Sequence, residues 1–173
     1  VRDIRPGADS SDPRSLTNVG GTLYFTANDG VSGFELWKSD GTEVGTVRVK
    51  DIWPGPPSAY LGALANVGGT LYFSASDGAS GFELWKSNGT QVGTIRVKDI
   101  RQGASGSYPR ELTNVGGMVY FHANDGTSGY ELWKSDGTEV GTVRVKDVLP
   151  GAARGLNPFT ARYLTNVGGT LYF

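Results

Sequence analysis

The sequence contains no cysteine and a single histidine among its 173 residues. Without cysteine the chain forms neither disulfides nor thiolate metal sites. It has no run of about 18 apolar residues, so no segment is predicted to span a membrane. The formal net charge of −1 argues against a broad phosphate-binding surface. Membrane-spanning and nucleic-acid-binding proteins are therefore not the expected classes.

Glycine is abundant instead, with 27 copies, and much of it belongs to an internal repeat. The motif ELWK occurs at Glu35–Lys38, Glu83–Lys86 and Glu131–Lys134, at a constant spacing of 48 residues. A Gly-Gly pair recurs at the same spacing, except that the last interval is 52 residues. We interpret the chain as one repeat domain, 1–173, whose units are 1–48, 49–96, 97–144 and an incomplete 145–173.

Each unit is predicted to form a four-stranded antiparallel meander. Asp-Gly and Gly-Gly pairs flanked by β-branched and aromatic residues are hairpin signals. In the first unit they separate four predicted strands, Arg14–Val19, Thr22–Asn28, Phe34–Ser39 and Thr46–Ile52. A longer crossover segment then leads to the next unit.

Side-chain alternation assigns two faces to each predicted sheet. If the second turn is centred on Gly30-Val31, one face is apolar and the other carries aromatic and charged residues. This register places Tyr24 opposite Trp37, Trp37 opposite Arg48, and Glu35 opposite Lys50. We expect Lys50 to neutralise Glu35, and we expect the aromatic residues of the second face to be core. These are Tyr24, Trp37, Tyr72, Trp85, Tyr120 and Trp133.

Both faces of such a sheet need a neighbour, because burying each Leu, Phe or Trp contributes about 1.5–3 kcal/mol. Identical sheets that stack and close radially form a β-propeller, and the unit length is typical of propeller repeats. The sequence thus predicts an all-β β-propeller with three full blades and a partial fourth. The alternatives are a β-solenoid, which would need shorter rungs, and separate small sandwiches. Further blades of a longer chain, or else self-association, are expected to complete the ring.

The motif ELWKSDGT resembles the ELWxxDGT repeat arrays of large secreted or surface proteins of myxobacteria and similar bacteria. The match covers Glu35–Thr42, Glu83–Thr90 and Glu131–Thr138, and Asn88 departs from it in the second copy. The resemblance implies a propeller-like bacterial protein located outside the cell or on its surface. It implies no reaction and no catalytic residue.

The sequence offers little for catalysis. His122 has no partner at catalytic or metal-ligand spacing, and no G-x-S-x-G motif occurs. We therefore expect no enzyme, no cofactor and no metal. Asp29, Asp77 and Asp125 precede glycine in the second turns, where aspartate caps tight turns. The alternative is that they bind Ca²⁺ or sugar hydroxyls.

The crossover segments vary while the strands barely change, which is the usual arrangement for recognition on a rigid scaffold. They are expected to open at the same end as the second turns. The candidate contacts are Trp53, Tyr60, Tyr108 and Phe159, together with Asp29, Asp77 and Asp125. One hypothesis is a lectin-like adhesion module for glycans or another cell-surface polymer. The other is a purely structural repeat, in which the crossovers only fill gaps between blades.

Overall fold

A computed structural model of the chain describes residues 2–146 and 163–173. The described residues form strands and no helix, arranged in four antiparallel sheets. The first sheet comprises β1 (Arg14–Val19), β2 (Thr22–Asn28), β3 (Phe34–Ser39) and β4 (Val47–Lys50). The second comprises β5 (Gly62–Val67), β6 (Thr70–Ser76), β7 (Phe82–Ser87) and β8 (Ile95–Lys98). The third comprises β9 (Arg110–Val115), β10 (Met118–Asn124), β11 (Tyr130–Ser135) and β12 (Val143–Lys146). The fourth has only β13 (Thr165–Val167) and β14 (Thr170–Tyr172).

The all-β prediction and the four-stranded antiparallel meander are confirmed, since strands in the three large sheets pair in chain order. The bounds of the first three strands are also as predicted. The fourth strand is shorter than expected and ends at Lys50. Its continuation leaves the sheet because the N–H groups of Ile52 and Trp53 donate to the Glu35 carboxylate, at 2.7 and 3.2 Å.

The first hairpin turns through two glycines. Val19 pairs with Thr22, so the turn consists of Gly20 and Gly21 alone. Their φ angles are 59° and 86°, which a two-residue turn of this hand requires and which glycine adopts without strain. The predicted centre of this turn is confirmed.

The second hairpin is centred on Val31, about half a residue later than the predicted centre between Gly30 and Val31, so the pairing register differs by one residue. Phe25 pairs with Trp37, and Tyr24 pairs with Lys38, so the prediction that Tyr24 faces Trp37 is wrong. The reason is a five-residue turn, 29–33, in which Asp29 Oδ1 accepts the N–H groups of Val31 and Ser32. An odd number of turn residues shifts the register by one and exchanges the faces of the following strand.

The third hairpin has the predicted pairing register next to its turn and a different register farther along the two strands. Trp37 lies opposite Arg48 as expected. A bulge between Leu36 and Trp37 then brings Lys50 opposite Leu36, so the predicted pair of Glu35 with Lys50 is wrong. Lys50 Nζ instead donates to the carbonyl of Thr94, which directly precedes β8 of the second sheet, at 2.8 Å.

The resulting sheet has two apolar faces of different composition. We call the side with Phe25, Ala27 and Trp37 the front face, and the side with Val19, Tyr24 and Leu36 the back face. The back face of the first sheet packs on the front face of the second, through Leu71, Phe73, Ala75 and Trp85. The second sheet packs on the third in the same way, through Val119, Phe121, Ala123 and Trp133. Successive sheets therefore stack back to front.

Polar contacts reinforce each junction between successive sheets. The Tyr24 hydroxyl lies against Gly89 in the third turn of the next repeat, and Lys38 Nζ donates to the Gly89 carbonyl at 2.8 Å. Tyr72, Lys86 and Gly137 repeat this arrangement at the next junction.

A ladder of asparagine amides links the first strands of all four sheets. The Nδ2 group of each asparagine donates to the backbone carbonyl of the asparagine one repeat earlier. The donor–acceptor pairs are Asn66 to Asn18 at 3.1 Å, Asn114 to Asn66 at 3.5 Å, and Asn166 to Asn114 at 2.8 Å. The Oδ1 atoms accept the N–H of the second turn glycine, so each side chain closes its own hairpin and joins a neighbouring repeat.

Five of the six aromatic residues assigned to the core are buried, namely Tyr24, Trp37, Tyr72, Trp85 and Trp133. Tyr120 is half-buried, on the back face of the third sheet. Among the residues that the structure describes, no helix has the length and apolar character needed to cross a membrane.

Candidate functional site

The residues singled out as candidate contacts occupy separate places in the structure. Tyr60 and Tyr108 share one cleft. Trp53 lies at the junction of the first two sheets, and the aspartates lie one in each second turn. Phe159 is outside the described residues.

The second-turn aspartates are held by the scaffold. Besides its backbone partners, Asp29 contacts Arg48 at 3.3 Å, and Arg48 also donates to Ser32 Oγ. Burial favours the neutral carboxyl, but hydrogen bonds from Ser32 and Val31 and the charge of Arg48 outweigh it and lower the pKa of Asp29. The second and third repeats have equivalent pairs, Asp77 with Arg96 at 3.5 Å and Asp125 with Arg144 at 3.7 Å.

Among the described residues, no group of three or more acidic, histidine or cysteine side chains is placed to hold a metal ion. Asp125 also lines a shallow cleft of about 520 Å³ with Lys98 and Arg101, where charges of both signs are mixed. The geometry thus gives the aspartates a structural part in their own turns.

Trp53 fills a gap between the first two sheets. Its ring lies so close to Gly78 that an added Cβ there would come within 2.5 Å of Trp53 Cε2. Arg5 and Arg101 hold the same place over Gly30 and Gly126. For Trp53, this arrangement favours the gap-filling interpretation over ligand contact.

An open cleft of about 530 Å³ lies between the second and third sheets, where β5 and β9 begin. We call it the aromatic cleft. Its lining includes the aromatic side chains Tyr60, Phe82 and Tyr108 and the polar side chains Ser74, Arg110 and Glu111. Tyr108 stacks on Phe82 with ring centroids 5.1 Å apart and planes 25° apart, and both tyrosines are exposed.

The aromatic cleft exists because Gly62 replaces an arginine. The equivalent residue of the first repeat, Arg14, lies over the Phe34 ring at 5.3 Å, and Arg110 of the third repeat lies over Tyr130 at 5.4 Å. At the corresponding ring, Phe82, Gly62 supplies no guanidinium, and Tyr108 stacks on the ring instead. An added Cβ at Gly62 would have no atom within 4 Å, which shows how open the place is.

The backbone around the aromatic cleft adopts conformations that are uncommon for residues other than glycine. Tyr60 and Tyr108 have φ angles of 48° and 50°, and Ala63 and Glu111 have φ angles of 50° and 57°. The second pair lies at bulges in β5 and β9, where a strand is bent and its side chains are redirected. In the first repeat, Asp12 and Ser15 also have positive φ angles. This backbone geometry is therefore a property of the repeat, and the aromatic cleft is built on it.

Glu83 fixes the wall of the cleft from behind. Its buried carboxylate accepts the N–H groups of Ile100, Arg101 and Ser107 and the Ser107 hydroxyl, the last at 2.6 Å. Burial raises the pKa of Glu83 to about 7 despite these donors, which favour the ionised form. Because Ser107 precedes Tyr108, this clamp on the crossover also positions the stacked tyrosine.

His122 lies deep in the third sheet, with 4% of its surface exposed. Burial lowers the pKa of this imidazole, so it is neutral near pH 7. It lies on β10, where its backbone pairs with Arg110, one of the residues that line the aromatic cleft.

Sequence reasoning found Tyr60 and Tyr108 but missed Phe82, Gly62 and Glu111. The signal for Gly62 was present, since the four repeats read RSL, GAL, REL and RYL at this point. Phe82 looked like ordinary core, because its stacking contact with Tyr108 joins residues that are distant in the chain.

Comparison of this protein with family models, curated proteins and solved structures gives no match in any of the three.

Proposed function

We propose that the chain is a non-enzymatic binding module whose ligand site is the aromatic cleft between the second and third sheets. The proposed ligand is a glycan or another hydroxyl-rich cell-surface polymer. The observation that carries the proposal is the Tyr108–Phe82 stack, left open by Gly62 and bordered by Arg110 and Glu111.

The chemistry of the cleft suits a sugar. Aromatic ring faces offer an apolar surface to the C–H groups of a pyranose ring, while their edges stay in water. Arg110 donates hydrogen bonds and Glu111 accepts them, so together they match the mixed donor and acceptor pattern of hydroxyl groups. Tyr60 and Tyr108 are exposed, so a polymer can reach them without a rearrangement of the sheets.

We further propose that the stacked sheets are blades of a β-propeller. Two features support this: each junction repeats the same back-to-front packing, and the first strands of successive sheets lie next to one another, as inner strands around an axis do. The resemblance to ELWxxDGT arrays supports a secreted or cell-surface location.

A single substitution tests the ligand site. Gly62→Arg introduces the side chain that Arg14 and Arg110 already carry, and the open space at Gly62 accommodates it. We expect the variant to lose at least about tenfold in affinity for the polysaccharide that the unmodified chain selects from a glycan array, with no loss of stability. Isothermal titration calorimetry and thermal unfolding measure the two quantities.

The reverse substitution is the matched control. Arg14→Gly removes the guanidinium that covers the Phe34 ring, and we expect it to add a second, weaker site, seen as a stoichiometry near two per chain. The proposal fails if Gly62→Arg binds like the unmodified chain, or if that chain binds nothing on the array.

The second candidate is a purely structural repeat. It is favoured by the scaffold roles of Trp53 and of the second-turn aspartates. It predicts a blank glycan array and blank polysaccharide pull-downs, whereas the binding proposal predicts that Tyr108→Ala abolishes a measurable signal.

A further inference from the structure

The first sheet leaves exposed a front face that, in the second and third sheets, is packed against the preceding sheet. Leu16 is 62% exposed, whereas its counterparts Leu64 and Leu112 are half-buried against a neighbouring sheet. Gly41 would have no atom within 4 Å of an added Cβ, whereas Gly89 and Gly137 each contact a tyrosine hydroxyl of the preceding repeat.

An apolar cleft of about 430 Å³ marks this place on the front face of the first sheet. Its lining includes Ile4, Leu16, Leu23, Phe25 and Gly41. Every residue that lines it lies between Arg2 and Gly41, so no described residue of another repeat occupies it. We call it the head cleft.

The fourth sheet presents the other half of the same junction. Val167 and Tyr172 are each 58% exposed. Their counterparts in the first sheet, Val19 and Tyr24, are each 6% exposed because they are covered by the second sheet. The back face of β13 and β14 therefore shows the residue types that fill a front face within the array.

We infer that two copies of this chain associate head to tail, with β13 and β14 of one copy docked in the head cleft of the other. Tyr172 then meets Gly41 as Tyr24 meets Gly89. Asn18 Nδ2 donates to the carbonyl of Asn166, which extends the asparagine ladder into the next copy.

The occupant is a second copy because the two halves are complementary in the way the internal junctions are. They belong to the first and fourth sheets, and among the described residues the extensive contacts between sheets join successive sheets. Such an interface uses a different surface on each partner, so it can extend to further copies or close into a ring.

Sedimentation equilibrium of the 173-residue chain tests the inference. We expect an average mass that rises with concentration above the 18.3 kDa of one copy. Leu16→Glu and Tyr172→Glu should each weaken association at least about tenfold, because each places a charge in an apolar junction. Both residues are exposed in the single copy, so both variants should fold, which circular dichroism checks.

Val44→Glu is the matched control. Val44 is 89% exposed, and its counterparts Val92 and Val140 stay 88% exposed even where a preceding repeat is docked. The position therefore lies outside the junction, and the variant should associate like the unmodified chain.

Mixing the variants tests the head-to-tail geometry. Leu16→Glu keeps an intact tail and Tyr172→Glu keeps an intact head, so an equimolar mixture should form a one-to-one dimer and nothing larger. The inference is overturned if the unmodified chain is monomeric at every soluble concentration, if Leu16→Glu associates normally, or if the mixture stays monomeric.

Discussion

Glu35 and Glu83 are buried carboxylates that bind backbone rather than a lysine. Each accepts the N–H groups of the two residues where the fourth strand leaves its sheet. Glu83 also holds Ser107 and so ties both ends of a crossover to one side chain. This clamp explains why a carboxylate recurs at a fully buried position in an apolar stack.

The same two carboxylates predict how the stability of the folded chain depends on pH. Burial raises the pKa of Glu35 and of Glu83 from 4.5 to about 7. Between these values the folded chain keeps protons that the unfolded chain has lost, so stability is full below pH 4.5 and falls as the pH rises to 7. We expect a loss of the order of 2 kcal/mol per glutamate, measured by urea unfolding across this window.

Two variants isolate that effect. Glu83→Gln should remove the part of the pH dependence of stability that Glu83 contributes. His122→Thr, which restores the residue of the first repeat, removes an imidazole whose lowered pKa acts in the opposite direction below pH 6.5. A stability that rises from pH 4.5 to 7 in the His122→Thr background would contradict the prediction.

At this scale, prediction from sequence succeeded where a residue's role depends on its neighbours in the chain and failed where it depends on register. The exposed positions of Tyr60 and Tyr108 follow from the variable crossovers. The partners of Glu35 and Tyr24 do not, because one extra turn residue exchanges the faces of β3.

Among the structural elements, the third turn is the most uniform, although one copy differs chemically. Asp136 Oδ1 accepts the Thr138 N–H and hydroxyl at 2.8 and 2.7 Å. Asn88 Oδ1 makes the same two bonds with Thr90 at 3.0 and 2.8 Å. The turn therefore needs an oxygen acceptor at this position and does not need a charge.

Asp136→Asn should consequently leave the free energy of unfolding within about 0.5 kcal/mol of its original value. Asp136→Ala removes the acceptor and should cost about 1–2 kcal/mol, since two hydrogen bonds are lost. Urea unfolding measures both. A large effect of the asparagine variant, or a calcium-dependent stability lost with it, would show that the charge itself matters.

Element boundaries were largely predictable because Gly-Gly and Asp-Gly pairs mark the turns chemically. The fourth strand was predicted too long, since Val-Arg-Val-Lys-Asp-Ile reads as a continuous strand by composition. Its actual end at Lys50 is decided by Glu35, a residue distant in the chain.

The whole molecule is held together by nearest-neighbour junctions, so its stability should depend on the coupling between repeats. Asn66→Asp keeps the oxygen that caps the turn at Gly69 but replaces the amide donor that reaches Asn18. We expect a loss of about 1–2 kcal/mol, because a carboxylate oxygen then faces a carbonyl. Urea unfolding at low protein concentration provides the measurement.

Asn18→Asp is the control within the same chain. Asn18 caps its own turn through Gly21, and no described asparagine carbonyl accepts its amide. The variant should be close to neutral in a single copy. Equal losses for Asn18→Asp and Asn66→Asp would show that the ladder does not couple the repeats.

At the scale of the whole molecule, the stacking of sheets was predictable, because the apolar face and the aromatic face of each repeat both need a neighbour. The way the repeats join was not, because the tyrosine–glycine contacts and the ladder depend on atoms from separate repeats. The aromatic cleft was not predictable either, since it arises from one missing side chain at a junction.

The presence of glycine instead of arginine at position 62 has a consequence for the evolution of the repeat array. Several arginine codons differ from a glycine codon by one base. A single point mutation can therefore open or close one junction while the sheets around it stay unchanged. When a repeat is duplicated, the new junction has its own position equivalent to Gly62. Point mutations at these positions can therefore change the number of clefts one at a time.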